Sequence, residues 1–452
     1  MSINWSTVPL GTVLTDIQPG FASGRHNSEG EGIPHFRPMN VSTDGCIERS
    51  VMKYVDPAAG RADVRLTRGD VLFNNTNSPE LVGKTALFAG DDSPAFSNHM
   101  TRLRTDATRL DPGYLAIRLH QAWREGWFAA HCNNHVSQAS IGRDVLKGFE
   151  IELPPLETQR AIASLAAAVD DSKYSASAHL ASARHAIGRF RQAVLAAACS
   201  GRLTADWREA NPGAAGILPS EPVRKRRGRS TVDAPLDLNL PELPESYALG
   251  TVGAVAEVLD YGTSRKGEAA GAVPVLRMGN IQNGALATDD LKYCELDHEI
   301  DRLILQDGDL LFNRTNSPEL VGKAAVFHGS GAMTFASYLI RVRFVRGVAD
   351  PDFVNFWINS AWGRMWARHV KTDGVSQSNI NGTKLGAMPL PVPPIAEQRE
   401  IVERASEMLA IADVLLNRFE RVSRVIDRSS QAVLAKAFRG ELIANGDHAG
   451  GP

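Results

Sequence analysis

Residues 69–88 read GDVLFNNTNSPELVGKTALF, and residues 308–327 read GDLLFNRTNSPELVGKAAVF. The two stretches agree at 16 of 20 positions, at an offset of 239 residues (308 − 69). The same offset carries Lys53-Tyr54 onto Lys292-Tyr293, Phe96 onto Phe335 and Val136-Ser137-Gln138 onto Val375-Ser376-Gln377. It also carries Gln159-Arg160 onto Gln398-Arg399 and Gln192–Leu195 onto Gln431–Leu434. A register held over so much sequence means two copies of one folded unit. Two similar but unequal heads suit a partner that has two related, unequal halves.

The chain has 452 residues, room for about three domains, and its 43% hydrophobic and 22% charged content is that of an ordinary globular protein. Four scattered cysteines (Cys46, Cys132, Cys199, Cys294) form no CxxC pair, which argues against a disulfide framework or structural zinc and fits a reducing cytoplasm. The opening residues lack the basic and apolar regions of a secretion signal, and no stretch has the ~18 apolar residues of a membrane span. The net charge of −2 is neutral on nucleic-acid binding, which depends on local basic stripes.

Each copy divides into a mixed body and a long helix. In the bodies, runs such as Asp70-Val-Leu-Phe and Ile340-Arg-Val-Arg-Phe-Val alternate with Gly, Asn, Asp and Pro, which reads as strands and turns. Gly113–Phe128 and Asp352–Ala367 carry apolar residues at helical spacing. The bodies end in Pro154-Pro155 and Pro393-Pro394, followed by LETQRAIA and IAEQREIV, a helix-start signal. In copy two, Ile401, Ala405, Met408, Ala412, Leu415, Phe419, Val422, Ile426 and Val433 follow a 4,3 spacing; in copy one, Ile162, Ala166, Val169, Ala176, Leu180, Ala183, Ile187, Phe190 and Val194 do so. A repeat of 3.5 residues held this long predicts a coiled-coil seam, and about 40 residues at ~1.5 Å each make a rod of about 60 Å. Gly201 and Gly440 end the helices at equivalent places. The expected fold class is therefore α+β, with two globular heads, two long helices packed as an antiparallel coiled coil, and an internal pseudo-two-fold repeat. The expected boundaries are 1–152 for the first body, 153–203 for its helix, 204–245 for a linker, 246–391 and 392–442 for the second pair, and 443–452 for a tail. The linker holds the basic run Arg224-Lys225-Arg226-Arg227.

Two catalytic-looking motifs fail. SPELVGKT (78–85) resembles the end of a phosphate loop, but Ser78 stands where that loop needs glycine, and Ala324 replaces the second copy's hydroxyl. His131-Cys132-Asn133-Asn134-His135 suggests a metal site, yet the equivalent 370–374 reads Val-Lys-Thr-Asp-Gly. No S-adenosylmethionine-binding, methyltransferase or nuclease signature is present, so no catalytic or metal residue is assigned.

What remains is planar and polar chemistry suited to recognition. Asn74, Asn75, Thr76 and Asn77 lie beside Lys84; the second copy has Asn313, Arg314, Thr315, Asn316 and Lys323. Asn and Arg pair bidentately with adenine and guanine edges, while Ser, Thr and Lys suit phosphates. The alternative is an Asx-type turn held by its own side chains. The differences matter more: Asn75 faces Arg314, Ala129–His135 faces Arg368–Gly374, and Ser23-Gly24-Arg25-His26 roughly parallels Thr263-Ser264-Arg265-Lys266. Arg25, Asn134, Ser137 and Gln138 in copy one, and Arg265, Lys266, Lys371, Ser376 and Gln377 in copy two, complete the candidate DNA-contacting set.

With both NSPELVGK segments, both PPxxxQR helix starts, both QAVL ends and Tyr261-Gly-Thr-Ser-Arg-Lys in order, the chain resembles the DNA-specificity subunit of type I restriction–modification systems over essentially its whole length. The resemblance implies two target recognition domains, with paired helices as a spacer between half-sites of a gapped, bipartite duplex target. It implies a non-catalytic subunit without its own cofactor, recruiting two methyltransferase subunits that carry S-adenosylmethionine and restriction–translocation subunits that use ATP and magnesium. Copy one departs at Gly20–Gly32, GFASGRHNSEGEG, leaving its contacts there less defined. Two competing readings stay open: a two-headed coiled-coil adaptor for proteins or glycans, and a nucleotide-dependent hydrolase.

Overall fold

The computed structural model describes residues 5–57, 63–134, 138–220, 240–375 and 377–442. The linker's basic run, the tail and the candidates Ser137 and Ser376 lie outside them. The chain forms two compact units: one holds the residues up to His179 and those from Val422 on, the other Leu180–Arg421.

Each unit contains one head, and the two heads share a plan. In the first, a four-stranded antiparallel sheet runs in the order Leu14–Pro19, Met100–Thr105, Val71–Asn74, Thr85–Leu87. The second repeats it as Ala256–Tyr261, Leu339–Phe344, Asp309–Asn313, Ala324–Phe327. The central strand reads as an unbroken apolar run because both its faces are covered. Val71 and Phe73 point into a core with Tyr114, Leu115 and Leu119, while Leu72 points into another with Phe36, Phe88 and Phe96. Leu310 and Phe312 against Leu311 divide in the same way. Alternate side chains of one strand thus feed two layers, each large buried residue contributing roughly 1.5–3 kcal/mol.

The second layer is a three-stranded mixed sheet, Lys53–Val55, Ile33–Phe36, Ala95–Phe96, repeated as Lys292–Cys294, Val273–Leu276, Thr334–Phe335. The first strand of each head, Ser6–Pro9 or Ala248–Thr251, pairs antiparallel with the last, Glu150–Leu153 or Pro389–Val392. That pairing closes the head just before its long helix.

The helical segment expected at Gly113–Phe128 is two helices, Pro112–Arg124 and Trp127–His131, broken at Gly126 with φ 80°. Its counterpart is Pro351–Asn359 and Ala361–Val370, broken at Ser360, whose hydroxyl accepts from the Gly363 N–H at 3.3 Å. A left-handed glycine and a serine cap each stop one helix and start the next.

The long helices span Leu156–Cys199 and Ile395–Phe438, and both are followed by left-handed glycines, Gly201 and Gly440. Each is locked to its head by a buried glutamine. Gln159 Oε1 accepts the Asp111 N–H at 2.8 Å, and its Nε2 donates to the carbonyls of Arg109 (2.9 Å) and Pro154 (2.8 Å). Gln398 does the same with Asp350 N–H (2.7 Å) and the carbonyls of Val348 (2.9 Å) and Pro393 (2.8 Å).

Within each unit the two helices run antiparallel. In the first, Ile162 shares a core with Ala437, and Lys173 pairs with Asp427 at 3.1 Å. In the second, Arg191 pairs with Asp413, and Val194, Leu195 and Ala198 share a core with Ile401 and Ala405.

The expected seam is covered at all its positions but Met408, Val422 and Phe190. Between Ala405 and Val433 the covered positions are 409, 412, 415, 416, 419, 423, 426 and 430, so Ala412, Leu415, Phe419 and Ile426 hold their places. Met408 and Val422 are exposed instead, and Leu409 and Ser423 take their steps. On the first helix Phe190 is exposed, and Lys173 and Arg191 occupy steps that apolarity alone passes over.

The expected linker is packed at its start. Thr204 is buried, and its hydroxyl donates to Glu397 at 2.7 Å. Arg208 and the Tyr247 hydroxyl also bond Glu397 Oε1, so three segments of the second unit meet on one buried carboxylate.

Candidate nucleic-acid interface

The sequence candidates lie far apart along the chain, and the fold gathers many of them into one small ribbon per head. In the first head Thr76–Asn77, Ala139–Ser140 and Asn133–Asn134 form a three-stranded antiparallel ribbon, Asn77 opposite Ala139 and Asn134 opposite Ala139 from the other side. In the second head Thr315–Asn316, Ser378–Asn379 and Thr372–Asp373 form the same ribbon. In each ribbon only the outer strand, Asn133–Asn134 or Thr372–Asp373, is exposed, and the other two are half-buried or buried.

Three candidates turn out to be part of that fixation. Asn74 and Asn313 are fully buried, with backbone N–H groups donating to Lys84 (2.8 Å) and Lys323 (2.7 Å) carbonyls; they are removed from the contact set. Lys84 is buried as well, its amine donating to the carbonyls of Pro38 (3.3 Å) and Val41, and burial holds it below the ordinary lysine range. The TNSPELVGK loop is therefore in part the self-bonded turn: Asn77 and Asn316 each accept the next residue's N–H at 2.8 Å. Gly83 and Gly322, at φ 98° and 86°, complete it, where a side chain would meet Phe128 or Ala367.

Asn75 and Arg314 stand at the same point of the two heads. Their backbone N–H groups donate to His99 and Tyr338 carbonyls, both at 3.0 Å, and their side chains to the carbonyls of Asn98 (3.2 Å) and Ser337 (3.3 Å). Asn75 is further tied to Thr101 at 3.0 Å. Arg314 lies over the Tyr261 ring, 4.7 Å from its centroid, and its Nε has no partner among the described residues. Tyr261 is steadied by accepting the Gly382 N–H at 2.8 Å.

Tyr261 and Tyr338 are both more than 40% exposed, and neither is among the contact candidates read from the sequence. Their counterparts in the first head are Pro19 and His99, paired with the same strands. An exposed tyrosine beside an arginine was legible as a possible stacking site only once the fold placed residue 261 next to 314.

The other candidates divide. Asn134 and Gln138 are exposed on the first ribbon, as is Gln377 on the second. Thr315 is half-buried, its hydroxyl accepting from Asn379 at 2.7 Å, and Thr76 is half-buried in the first head. Lys371 is bonded to Asp373. Lys323 is half-buried, pushed down by burial and by Arg364 beside it. Arg364 donates to the carbonyls of Val321 (2.9 Å) and Glu319 (2.7 Å), bracing helix Ala361–Val370 on this loop, with Arg368 one turn on. Arg265 is held by Asp297 and by Glu299 at 3.2 Å, while Arg25 and Lys266 are exposed.

The expected parallel of Arg25 with Arg265 is corrected by the strand pairing. Gly20 donates to the Met100 carbonyl as Gly262 does to Leu339, and Phe21 bridges Ser97 as Thr263 bridges Ala336. Ser23 therefore stands where Arg265 does, and Arg25 follows in a different loop.

No described helix is long and apolar enough to cross a membrane, and no cluster of three or more metal-ligating side chains occurs among the described residues.

No family model matches the chain. It is 30% identical over 459 residues to the type I restriction enzyme EcoKI specificity subunit of Escherichia coli strain K12, spanning 97% of this chain and 89% of that protein. It is 25% identical over 468 residues to the StySPI specificity subunit of Salmonella potsdam, with the same coverage of 97% and 89%. A solved chain from work on complex assembly and conformational transition of the type I R-M system superposes with a TM-score of 0.65 at 18% identity, over 97% of this chain and 98% of that one. At that identity the likeness speaks for the fold, whereas the first relative matches nearly end to end. The duplicated heads, the duplicated helix starts and this end-to-end match place the chain in the family of type I restriction enzyme specificity subunits.

Proposed function

We propose that the chain is the non-catalytic DNA-reading subunit of a type I restriction–modification complex, each head reading one half of a two-part duplex target. The observation that carries this is the pairing of an identical frame with different side chains: Pro19, Asn75, His99 and Asn133-Asn134 in one head stand where Tyr261, Arg314, Tyr338 and Thr372-Asp373 stand in the other. A shared scaffold with divergent edge-reading groups gives two related grips with two different preferences. Asn134, Gln138 and Asn75 are the first head's base-reading candidates; Arg314, Tyr261 and Gln377 are the second's. Arg25, Lys266, Lys323, Arg364 and Arg368 are suited to phosphates.

The paired long helices serve as the spacer that fixes the gap between half-sites, and the internal repeat gives two equivalent docking places for two methyltransferase subunits. S-adenosylmethionine belongs to those partners, and ATP and magnesium to the restriction subunits. The adaptor alternative lacks a comparable supporting observation.

The test is a methylome. Native DNA is sequenced with modification detection from cells with and without this gene, the methyltransferase partner being expressed in both. Loss of one gapped, two-part methylated motif on deletion is the expected result. An unchanged methylome would overturn the proposal.

A further inference from the structure

Along the first long helix, the positions between Ala166 and Val194 that escape exposure are 169, 173, 176, 180, 183, 187 and 191. That is a heptad stripe, and two of its members are cations. Lys173 and Arg191 have side chains only 23% and 16% exposed, in places where the repeat otherwise carries Val, Ala, Leu and Ile. A cation in a seam costs stability unless it finds partners.

Each finds two, of the same two kinds. Lys173 Nζ bonds Asp427 of the second helix at 3.1 Å and Asp44 of the first head at 2.9 Å. Arg191 bonds Asp413 of the second helix and donates Nη2 to the Asn283 carbonyl of the second head at 2.9 Å. Asp44 and Asn283 sit in matching turns. Asp44-Gly45 follows the short helix Pro38–Asn40, and Asn283-Gly284 follows Met278–Asn280; both glycines are left-handed, and Asn283 is itself at φ 53°. Further bonds hold each turn to its own head: Arg124 approaches Asp44 at 3.5 Å, and Asn355 donates to the Gly284 carbonyl at 2.8 Å.

We infer that Lys173 and Arg191 are positioning residues that clamp each recognition head to the helix pair and thereby set how strictly the complex enforces the gap between half-sites. This rests on the recognition role proposed above. Buried glutamines and shared cores already hold each long helix to its head, and Lys173 and Arg191 each bond the facing helix and the head at a second place along the rod. A single side chain that satisfies both fixes the orientation of the reading surface against the spacer. Two apolar residues at these steps would hold the helices together but leave the turns at Asp44 and Asn283 bonded to their own heads alone.

The experiment uses the full chain, co-expressed with its methyltransferase partner, on a plasmid library in which the parental half-sites are separated by the parental gap or by one base pair more or less. Methylation at each gap is read for the parent, Lys173→Ala, Lys173→Arg, Arg191→Ala and Asp44→Asn. The last variant removes an exposed carboxylate that only the clamp and Arg124 use, so the fold does not depend on it. The preference for the parental gap is expected to fall about two- to fivefold in Lys173→Ala, Arg191→Ala and Asp44→Asn, the scale of one partly exposed ion pair. The half-site sequences should be unchanged, and Lys173→Arg should restore the preference. Parental gap preference in all the variants would overturn the inference while leaving the recognition role standing. A parent that marks no two-part motif would overturn both.

Discussion

Replacing Gln398 by alanine tests how the heads are joined to their helices. The side chain is fully buried and makes three hydrogen bonds to backbone groups from three places: the Asp350 N–H before one helix, the Val348 carbonyl, and the Pro393 carbonyl before another. Truncation leaves two carbonyls and one N–H without partners, each costing about 1–3 kcal/mol when water cannot reach it. Some relaxation and water entry will recover part of this, so the expected loss is about 3–5 kcal/mol, well above an average substitution. Gln398→Glu should be no better, because a carboxylate keeps the bond from Asp350 but turns an oxygen toward two carbonyl oxygens. Gln159→Ala removes the matching knot of the first unit, with its bonds to Asp111, Arg109 and Pro154, and should cost about the same. The two knots lie in different units and share no partner, so the double variant should be close to additive. The assay is equilibrium unfolding of the full chain in urea, with hydrogen exchange of the first turn of each long helix as a local readout. A loss under about 1 kcal/mol for Gln398→Ala, with unchanged exchange at the helix start, would refute the reasoning.

Arg314→Ala should relax the half-site read by the second head by about 1–3 kcal/mol of base discrimination and spare the other half; equal loss at both half-sites in a methylation assay would refute its assignment. His35 is buried, and burial, with His26 beside it, lowers its pKa to about 4. The unfolded chain therefore binds the extra proton between about pH 6.5 and 4, so first-unit stability is full above that window and falls as pH drops through it. His35→Val, which copies Val275 at the equivalent strand position, should lower the pH slope of unfolding by about one proton, or about 1.4 kcal/mol per pH unit; an unchanged slope would refute it. Ala412→Asp puts a charge at a covered seam step and should cost several kcal/mol, whereas Val422→Asp at an exposed position should cost under about 1 kcal/mol; equal losses in thermal melts would restore the seam register expected from apolarity. Gly262→Ala places a Cβ 2.2 Å from the Phe335 carbonyl oxygen and should destabilise the second head measurably in the same melts.

The repeat and the helix pair were legible because they are written in identities and periods. Asn75 and Arg314 proved equivalent because the offset between them is also the offset of their hydrogen-bond partners, His99 and Tyr338. The seam was misread where chemistry and position part company. Met408 and Leu409 are both apolar, so spacing could not choose between them, and Ser423, Lys173 and Arg191 hold seam steps that a hydrophobic count discards. The interface was misread where polarity was taken for exposure. Asn74 and Lys84 are buried donors to backbone carbonyls inside the head, and Asn313 is buried at the same step with no side-chain hydrogen bond among the described residues. Tyr261 joined the site only through tertiary placement, since 53 residues (314 − 261) separate it from the arginine it supports.

The division of the chain into units bears on how it is made. The second unit is a continuous stretch, Leu180–Arg421, but the first needs residues from both sides of it. Tyr114 and Ile162 share their core with Ala437, and the Tyr114 ring lies 5.5 Å from that of Phe438. A ribosome releases that helical turn only after the whole of the second unit has been made. The head that is translated first must therefore wait, with part of its apolar face uncovered, while the head translated second can finish folding on the nascent chain. Premature stops a few codons before Ala437 should consequently damage the amino-terminal head rather than the nearer one, and chaperone dependence during synthesis should fall on that same head.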